Sequence, residues 1–381
     1  MAYFDNAATT YPKPNIVYES MHDFYQNHSG SFGRGNYKAA TQVGDLVVDT
    51  RKRIQALFHC LAKQVVFTPS ATIALNMIIQ GLIAKNIKNI YISPFEHNAV
   101  TRTLHHFEKQ GRIKVIQLAV SQDMSFDLEC IRYQFDEIKP DLIIVSHASN
   151  VCGLIAPVAD IFTLGKKYNA VTLADMAQTA GLIDCDLSSD IFDFAVFEGH
   201  KTLLGPTGIG GFVMKADFDL PATVFGGTGF ESANQEMPDS LPERFEVGTS
   251  NVIGIVGLNA ALRWIEEQGL DVLRKKDKEN RTRLLNLLNE FSFVKVVGNC
   301  PDCQYVGIVS CLIEGISSDS AGSVFDRCNI AVRTGLQCAP LAHRFLHTYP
   351  VGTVRFSVNC FTNDKDFKEL EAALNYIEEN M

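Results

Sequence analysis

Lys201 lies in the run Phe194-Ala-Val-Phe-Glu-Gly-His-Lys-Thr-Leu-Leu-Gly-Pro-Thr-Gly-Ile-Gly-Gly211, between a short apolar stretch and a glycine-rich turn. A lysine at the end of a buried strand faces a crevice. Partial burial there favours the neutral amine, which attacks carbonyls to give a Schiff base. Most lysines are solvated surface groups, so its company must decide. That company is an Asp-x-x-Gln (Asp175, Gln178), a histidine after another strand (His97), and an Arg-x-Gly-x-x-Cys ending at Cys338.

Asp175 follows the predicted strand Ala170–Ala174 directly. A carboxylate there can pair with a pyridinium nitrogen and keep the ring an electron sink. Its ordinary alternative is a helix N-cap. Gln178 can bond the phenolic oxygen of the same ring. His97 follows Asn89–Ser93 and can stack on a planar group; the bland alternative is a hydrogen-bonded histidine. Asn150 follows the strand ending at Ser146, where an ordinary loop asparagine is the alternative. Ser70, Ala71 and Thr72 open a helix after a strand. Free N–H groups and hydroxyls there suit a phosphate, or simply cap the helix. Each bland reading stands alone, yet all these positions fall just after predicted strands, where open α/β sheets bind ligands. No Gly-x-Gly-x-x-Gly opens a helix after the first strand, and Lys201 precedes its glycines, so neither the dinucleotide fingerprint nor a P-loop fits. The constellation reads as a pyridoxal-phosphate crevice.

A second site is Arg333-Thr-Gly-Leu-Gln-Cys338-Ala-Pro. Arg333 offers a fork for a carboxylate, and Arg355, in the strand-like Gly352-Thr-Val-Arg-Phe-Ser357, is a second candidate. Cys338 should be exposed, because its thiolate is the nucleophile. The alternatives are surface ion pairs and a structural thiol. Cys300-Pro-Asp-Cys303 lacks a second ligand pair at zinc-site spacing, so no metal is expected. The remaining cysteines, among ten in all, read as reduced core or surface thiols.

The elements that must position these groups are legible as an alternation. Strands are predicted at Gln64–Phe67, Asn89–Ser93, Asp141–Ser146, Ala170–Ala174, Phe192–Phe197 and Ile209–Met214. Helices are predicted at Ser70–Leu82, His97–Gln110 and Asp160–Tyr168. Such alternation predicts an α/β fold with a doubly wound, largely parallel sheet. Residues 220–250 lack periodicity. Helices follow at Ile253–Gln268 and about Leu270–Glu290, then strands near Val294–Val297 and Gly307–Ile313. Helices at Ser318–Arg327 and Asp364–Asn380 complete a smaller α+β region. The extended, proline-marked Tyr3–Pro14 is expected to dock elsewhere. With 381 residues, two domains are expected: 15–255 as the large one, and 1–14 with 256–381 as the small one. The net charge of −9 argues against non-specific binding to nucleic acid or an acidic membrane. No run of about 20 apolar residues is present. The N-terminus lacks a secretory pattern, so a cytoplasmic location is expected.

These runs resemble the class V aminotransferase family of fold-type I pyridoxal-phosphate enzymes, and within it the cysteine desulfurases. The likeness covers nearly the whole chain: Tyr3-Phe-Asp-Asn-Ala-Ala-Thr-Thr10, Asp175-Met-Ala-Gln178, Gly199-His-Lys201 with Gly205-Pro-Thr-Gly-Ile-Gly210, Gly248-Thr-Ser-Asn251, and the short-loop, group II form Arg333-Thr-Gly-Leu-Gln-Cys338. The resemblance implies a large domain with a mainly parallel mixed sheet plus a smaller α+β C-terminal domain. It implies that Lys201 carries the cofactor, with Asp175, Gln178 and His97 around the ring. Ser70, Ala71, Thr72 and His200 would hold the phosphate, joined by Thr249 from the second subunit of a homodimer. Arg355 would be the main clamp for the substrate carboxylate, with Arg333 near the cysteine loop and Asn150 positioning substrate or cofactor. The implied reaction converts L-cysteine to L-alanine, with catalysis by Lys201, His97 and Cys338. The sulfur is held as a Cys338 persulfide for an acceptor protein, in iron–sulfur assembly or tRNA or DNA modification. The rivals are a selenocysteine lyase or other C–S lyase, and a non-catalytic sulfur-relay partner. Two residues depart from the pattern. Glu198 stands where a small Ser or Thr usually bonds the phosphate, and is expected to point away or pair with a cation. Gln337 stands where many relatives have histidine, and cannot shuttle protons.

Overall fold

The computed structural model describes residues 1–28, 30, 32, 35 and 37–380. A two-residue strand, β1 (Ala2–Tyr3), precedes two helices, α1 (Asn15–Asn27) and α2 (Lys38–Leu57). Then strands and helices alternate: β2 (Gln64–Thr68), α3 (Ala71–Ala84), β3 (Asn89–Ile92), α4 (Asn98–Lys109), β4 (Lys114–Gln117), α5 (Leu128–Glu137), β5 (Leu142–Ser146), α6 (Val158–Lys166) and β6 (Val171–Asp175). Two strands close this half, β7 (Phe194–Glu198) and β8 (Gly210–Met214). After an irregular segment come α7 (Val252–Gln268), α8 (Leu270–Asn289), β9 (Val294–Val297), β10 (Ile308–Ile313), α9 (Ser318–Arg327), β11 (Ile330–Ala331), β12 (Arg333–Gly335), α10 (Pro340–Phe345), β13 (Thr353–Ser357) and α11 (Asp364–Glu379).

The large sheet has the order β2-β8-β7-β6-β5-β3-β4. Only β8 runs against its neighbours, β2 and β7; the other pairs are parallel. Helices cover both faces, so the central strands need apolar residues on both sides. β5 (Leu-Ile-Ile-Val-Ser) is buried at every position. One face packs Ile54, Phe58, Phe135, Ile143 and Phe162; the other packs Leu75, Ile78, Ile144, Leu173 and Phe212. The edge strand β4 escapes the sequence pattern because Lys-Val-Ile-Gln is half exposed and lacks a continuous apolar run.

A second, antiparallel sheet has the order β12-β13-β10-β9. Its core gathers Phe325, Phe356, Phe367 and Leu374 with Phe4 from the other end of the chain. β1 pairs in parallel with β11, and Asn6 Nδ2 donates to Ser357 O at 2.8 Å. The extended N-terminal segment therefore docks on the C-terminal layer. It then crosses to the Lys201 loop, where Thr10 N–H donates to His200 O at 3.1 Å and Thr10 Oγ1 to Lys201 O at 2.9 Å. The boundary expected at residue 255 falls inside α7, which packs on α1 and α2. All ten cysteines are free thiols. Among the described residues no helix is long and apolar enough to cross a membrane.

Candidate active site

The loops that leave the C-terminal ends of β3, β5, β6 and β7 converge on one cleft. Ser146, the last residue of β5, pairs with Asp175, the last of β6, and Asp175 pairs with Val196 in β7. The strand ends are therefore level, and side chains just beyond them share one rim. Ala71, Thr72, His97, Asn150, Asp175, Gln178, Glu198 and Lys201 all line it.

Asp175 is buried, and its Oδ1 accepts the Ala177 N–H at 2.9 Å. Burial pushes its carboxyl up, opposed by that amide and by Lys201. A cationic ring nitrogen would relieve this. Burial likewise holds the half-buried Lys201 amine below its ordinary value, against the pull of Asp175 and Glu198. The neutral amine is thereby favoured. His97 caps α4: its Nδ1 accepts the Ala99 N–H at 3.0 Å, so a neutral ring carries its proton on Nε2. Burial, with Lys201, Arg102 and Arg355 nearby, brings His97 down to about 4. The ring is thus an uncharged flat surface at neutral pH. Gln178 Nε2 donates to Ala7 O at 2.9 Å, which anchors its amide against the N-terminal segment.

Arg355, outside the lining itself but bonded to its Asn150, is buried within β13. It donates from Nη1 to Asn150 O at 2.9 Å and from Nη2 to Asp5 Oδ1 at 2.7 Å. Asn150 Nδ2 donates to Gln337 O at 2.6 Å, and the Asn98 N–H to Cys338 O at 2.7 Å. These two bonds tie the cysteine loop to the loops after β5 and β3. Gln337 and Cys338 have φ of 38° and 59°, a left-handed pair that non-glycine residues adopt only when held. The Gln337 side chain supplies the hold. Its Nε2 donates to Thr353 O at 3.0 Å, and its Oε1 lies 2.8 Å from His343 Nε2. Cys338 itself is exposed and lies within electrostatic reach of both Lys201 and Arg355.

Not every expected residue joins the cleft. Ser70 caps α3, its Oγ accepting the Ile73 N–H at 3.4 Å. His200 lies beside Glu198, its Nε2 3.6 Å from Glu198 Oε1. Arg333 is exposed on β12, paired across the sheet with Arg355 and absent from the cleft lining. Thr249 is exposed in a separate hollow with Phe67, Ile73, Gly208 and Asn251. Glu198 does not point away from the cleft, and its one histidine neighbour, His200, is no cation near neutral pH. Glu198 Oε2 accepts the Ala71 N–H at 2.8 Å, because a buried carboxylate finds its best partner in the unpaired amide that opens α3.

Sequence reasoning missed three supports. Glu96 is fully buried; its Oε1 accepts from Ser93 Oγ and Ser146 N–H, both at 2.6 Å, and its Oε2 from Ser146 Oγ at 2.8 Å. It braces the turn that carries His97. Asp5 orients Arg355, and Lys13 Nζ donates to His200 O at 2.5 Å. An acid beside a candidate histidine was the one available signal for Glu96; nothing local marks the other two.

Among the described residues, the buried side-chain atoms without a hydrogen-bond partner include Glu198 Oε1, His200 Nδ1, Thr202 Oγ1 and Arg355 Nε. Native proteins pair such groups. Glu198 lines the cleft, His200 and Thr202 flank Lys201 in the chain, and Arg355 bonds Asn150 of the lining, so these unpaired atoms fit a polar molecule held there. The donor set fits pyridoxal phosphate: a carboxylate for the ring nitrogen, an amide for the phenolic oxygen, a flat neutral ring, an amine, and a helix N-terminus.

The family model for "Aminotransferase class-V" matches residues 2–370. The chain belongs to the class-V aminotransferase family. It is 30% identical to a probable cysteine desulfurase of Halalkalibacterium halodurans, over 100% of this chain and 93% of that protein. It is 31% identical to a cysteine desulfurase of Escherichia coli O157:H7, over 89% of this chain and 84% of that one. The apo structure of a cysteine desulfurase from Thermococcus onnurineus superposes with a TM-score of 0.88 at 26% identity, covering 100% of this chain and 95% of that one. The mixed sheet of this class-V member is thus that of the solved desulfurases.

Proposed function

We propose that this class-V protein is a pyridoxal-phosphate-dependent cysteine desulfurase. The observation that carries the reading is one cleft, lined by a lysine and a buried aspartate, whose rim is tied to the loop of an exposed cysteine. Lys201 and Asp175 line it, and the Cys338 loop is tied to its rim through Asn150 and Asn98. Lys201 would hold the cofactor covalently, Asp175 its ring nitrogen, Gln178 its phenolic oxygen and His97 its face. Ala71, Thr72 and His200 would receive the phosphate. When bound, the cofactor supplies an electron sink that lowers the cost of removing the substrate Cα proton.

The chain's own groups do the rest. Arg355, with Asn150 O and Asp5 fixing two of its nitrogens, presents Nε to the L-cysteine carboxylate. The Lys201 amine, which burial shifts toward its neutral form, would take the Cα proton and return a proton to the product. The Cys338 thiolate attacks the substrate sulfur: an S–S bond forms, the Cβ–S bond breaks, and its electron pair stays on carbon to be protonated. The products are a Cys338 persulfide and L-alanine, and an acceptor protein or a thiol takes the sulfur. Thr249 and the exposed Ile73, Val224 and Phe225 support a homodimer in which this hollow meets the second subunit.

The test is alanine and sulfide production from L-cysteine with a reductant, for the wild type and Cys338→Ala. Equal yields, lost in the variant while the bound cofactor's colour remains, are expected. Undiminished variant activity would point to a lyase that needs no persulfide. No activity on cysteine but turnover of selenocysteine would move the reading to a selenocysteine lyase.

A further inference from the structure

The end of the cleft beside α3 already holds an acidic side chain. Glu198 ends β7, and its Oε2 takes the Ala71 N–H, the first amide of the 14-residue helix α3. That amide is among the groups a phosphate would seek. The second oxygen, Oε1, has no hydrogen-bond partner, and the side chain is only 8% exposed. Glu198 therefore lines the cleft with one bonded and one unbonded oxygen.

The groups facing Glu198 can be named element by element. The loop after β7 brings Lys201 and His200, and β6 brings Asp175. The first turn of α3 has no acidic residue and offers amides and the Thr72 hydroxyl. Burial raises the Glu198 carboxyl, Asp175 adds to this, and the Ala71 amide and Lys201 oppose it. His200 is brought down to about 4, chiefly by burial, and is no cation for Glu198 near neutral pH. A phosphate arriving beside a charged Glu198 would set two anions together in a poorly solvated pocket, where Coulomb repulsion is far stronger than in water. A carboxylic acid removes the repulsion and gains a donor.

We propose that Glu198 binds the cofactor phosphate as a neutral carboxylic acid, Oε2 keeping the Ala71 N–H while a proton on Oε1 is donated to a phosphate oxygen. Loading the cofactor then takes up one proton at Glu198. The residue works as a hydroxyl donor that is present only when protonated, so cofactor retention weakens as pH rises. This rests on the pyridoxal-phosphate reading above.

The test titrates the apoenzyme with pyridoxal phosphate from about pH 6 to about pH 9, following the bound cofactor's absorbance, with calorimetry in buffers of different ionisation enthalpy to count protons. Glu198→Gln keeps the shape, accepts from Ala71 and always donates. Glu198→Ser supplies a short neutral hydroxyl, and guards against a fold defect peculiar to the first variant. The wild type is expected to lose affinity by up to about tenfold per pH unit more than either variant, and to take up one more proton on binding. Binding by all three with equal slopes and equal proton counts overturns the assignment of Glu198 and leaves the cofactor reading standing. Absence of binding in all three overturns both.

Discussion

Oε1 of Gln337 lies 2.8 Å from Nε2 of His343, and Nδ1 of that histidine lies 2.8 Å from Thr348 Oγ1. Gln337 Oε1 can only accept, so Nε2 of His343 carries the proton and Nδ1 accepts from the threonine. Burial holds His343 down to about 4, which keeps it neutral in this role. The residue before Cys338 is thus a strut, and proton transfer at that position is not open to it.

Gln337→Ala or His343→Ala should therefore act on the cysteine loop. Each leaves buried polar partners unpaired, at a cost of about 1–3 kcal/mol. The left-handed backbone at Cys338 loses its brace. The expected result is a lower melting temperature and persulfide formation slowed at least about tenfold, with cofactor absorbance unchanged. A rate equal to wild type would show that the loop holds itself.

Lys201→Arg tests the covalent anchor. A guanidinium stays charged and cannot attack a carbonyl. The variant should fold, release its cofactor on dialysis and fail to turn over cysteine. Retention of a covalent, borohydride-trappable cofactor would place the anchor on another amine.

Arg355 and Asp5 are coupled. Arg355→Ala leaves the Asp5 carboxylate, 18% exposed at its side chain, without its cation. Breaking one side of such a pair costs about 3–5 kcal/mol. Adding Asp5→Ala should restore part of the stability, while KM for cysteine stays raised because the clamp is still gone. Denaturant melts and steady-state kinetics on the double-variant cycle separate the two effects.

Glu96 sets a pH dependence of stability. Burial raises its carboxyl to about 7, with Asp175 adding and the serine bonds opposing. The folded chain then holds a proton that the unfolded chain releases. This contribution is fully present below the unfolded value and is lost as pH rises from about 4.5 through about 7, roughly 3 kcal/mol in all. Glu96→Gln, neutral throughout, should flatten the fall in melting temperature across that window relative to wild type. Parallel curves for the two proteins would mean that Glu96 is ionised in the folded state.

What could be read from the sequence follows from how each group is fixed. β5 announced itself because helices on both faces demand an unbroken apolar run. Asp175, Lys201 and His97 were legible because each sits at, or three to five residues beyond, the end of a buried strand. β4 was not, since an edge strand of Lys-Val-Ile-Gln needs neither apolar face complete. The direction of Glu198 was missed because it is set by the Ala71 amide, 127 residues away in the chain. Asp5 and Arg355 meet across 350 residues, a pairing no local period encodes. Thr249 and Arg333 were carried by motif alone: one was expected at the second subunit's site and the other beside the cysteine loop, and neither lines this chain's cleft.

Because β1 rests on β11 and Asp5 on Arg355, the order of synthesis matters. A ribosome that has finished the whole parallel sheet has made Lys201 and Asp175. It has not yet made Cys338, Arg355 or the strand on which the first residues will lie. The nascent chain can offer a seat for a cofactor well before it can grip an amino acid or accept a sulfur atom. The two halves of the site are thus completed at different moments of synthesis, the second only once β13 has been made.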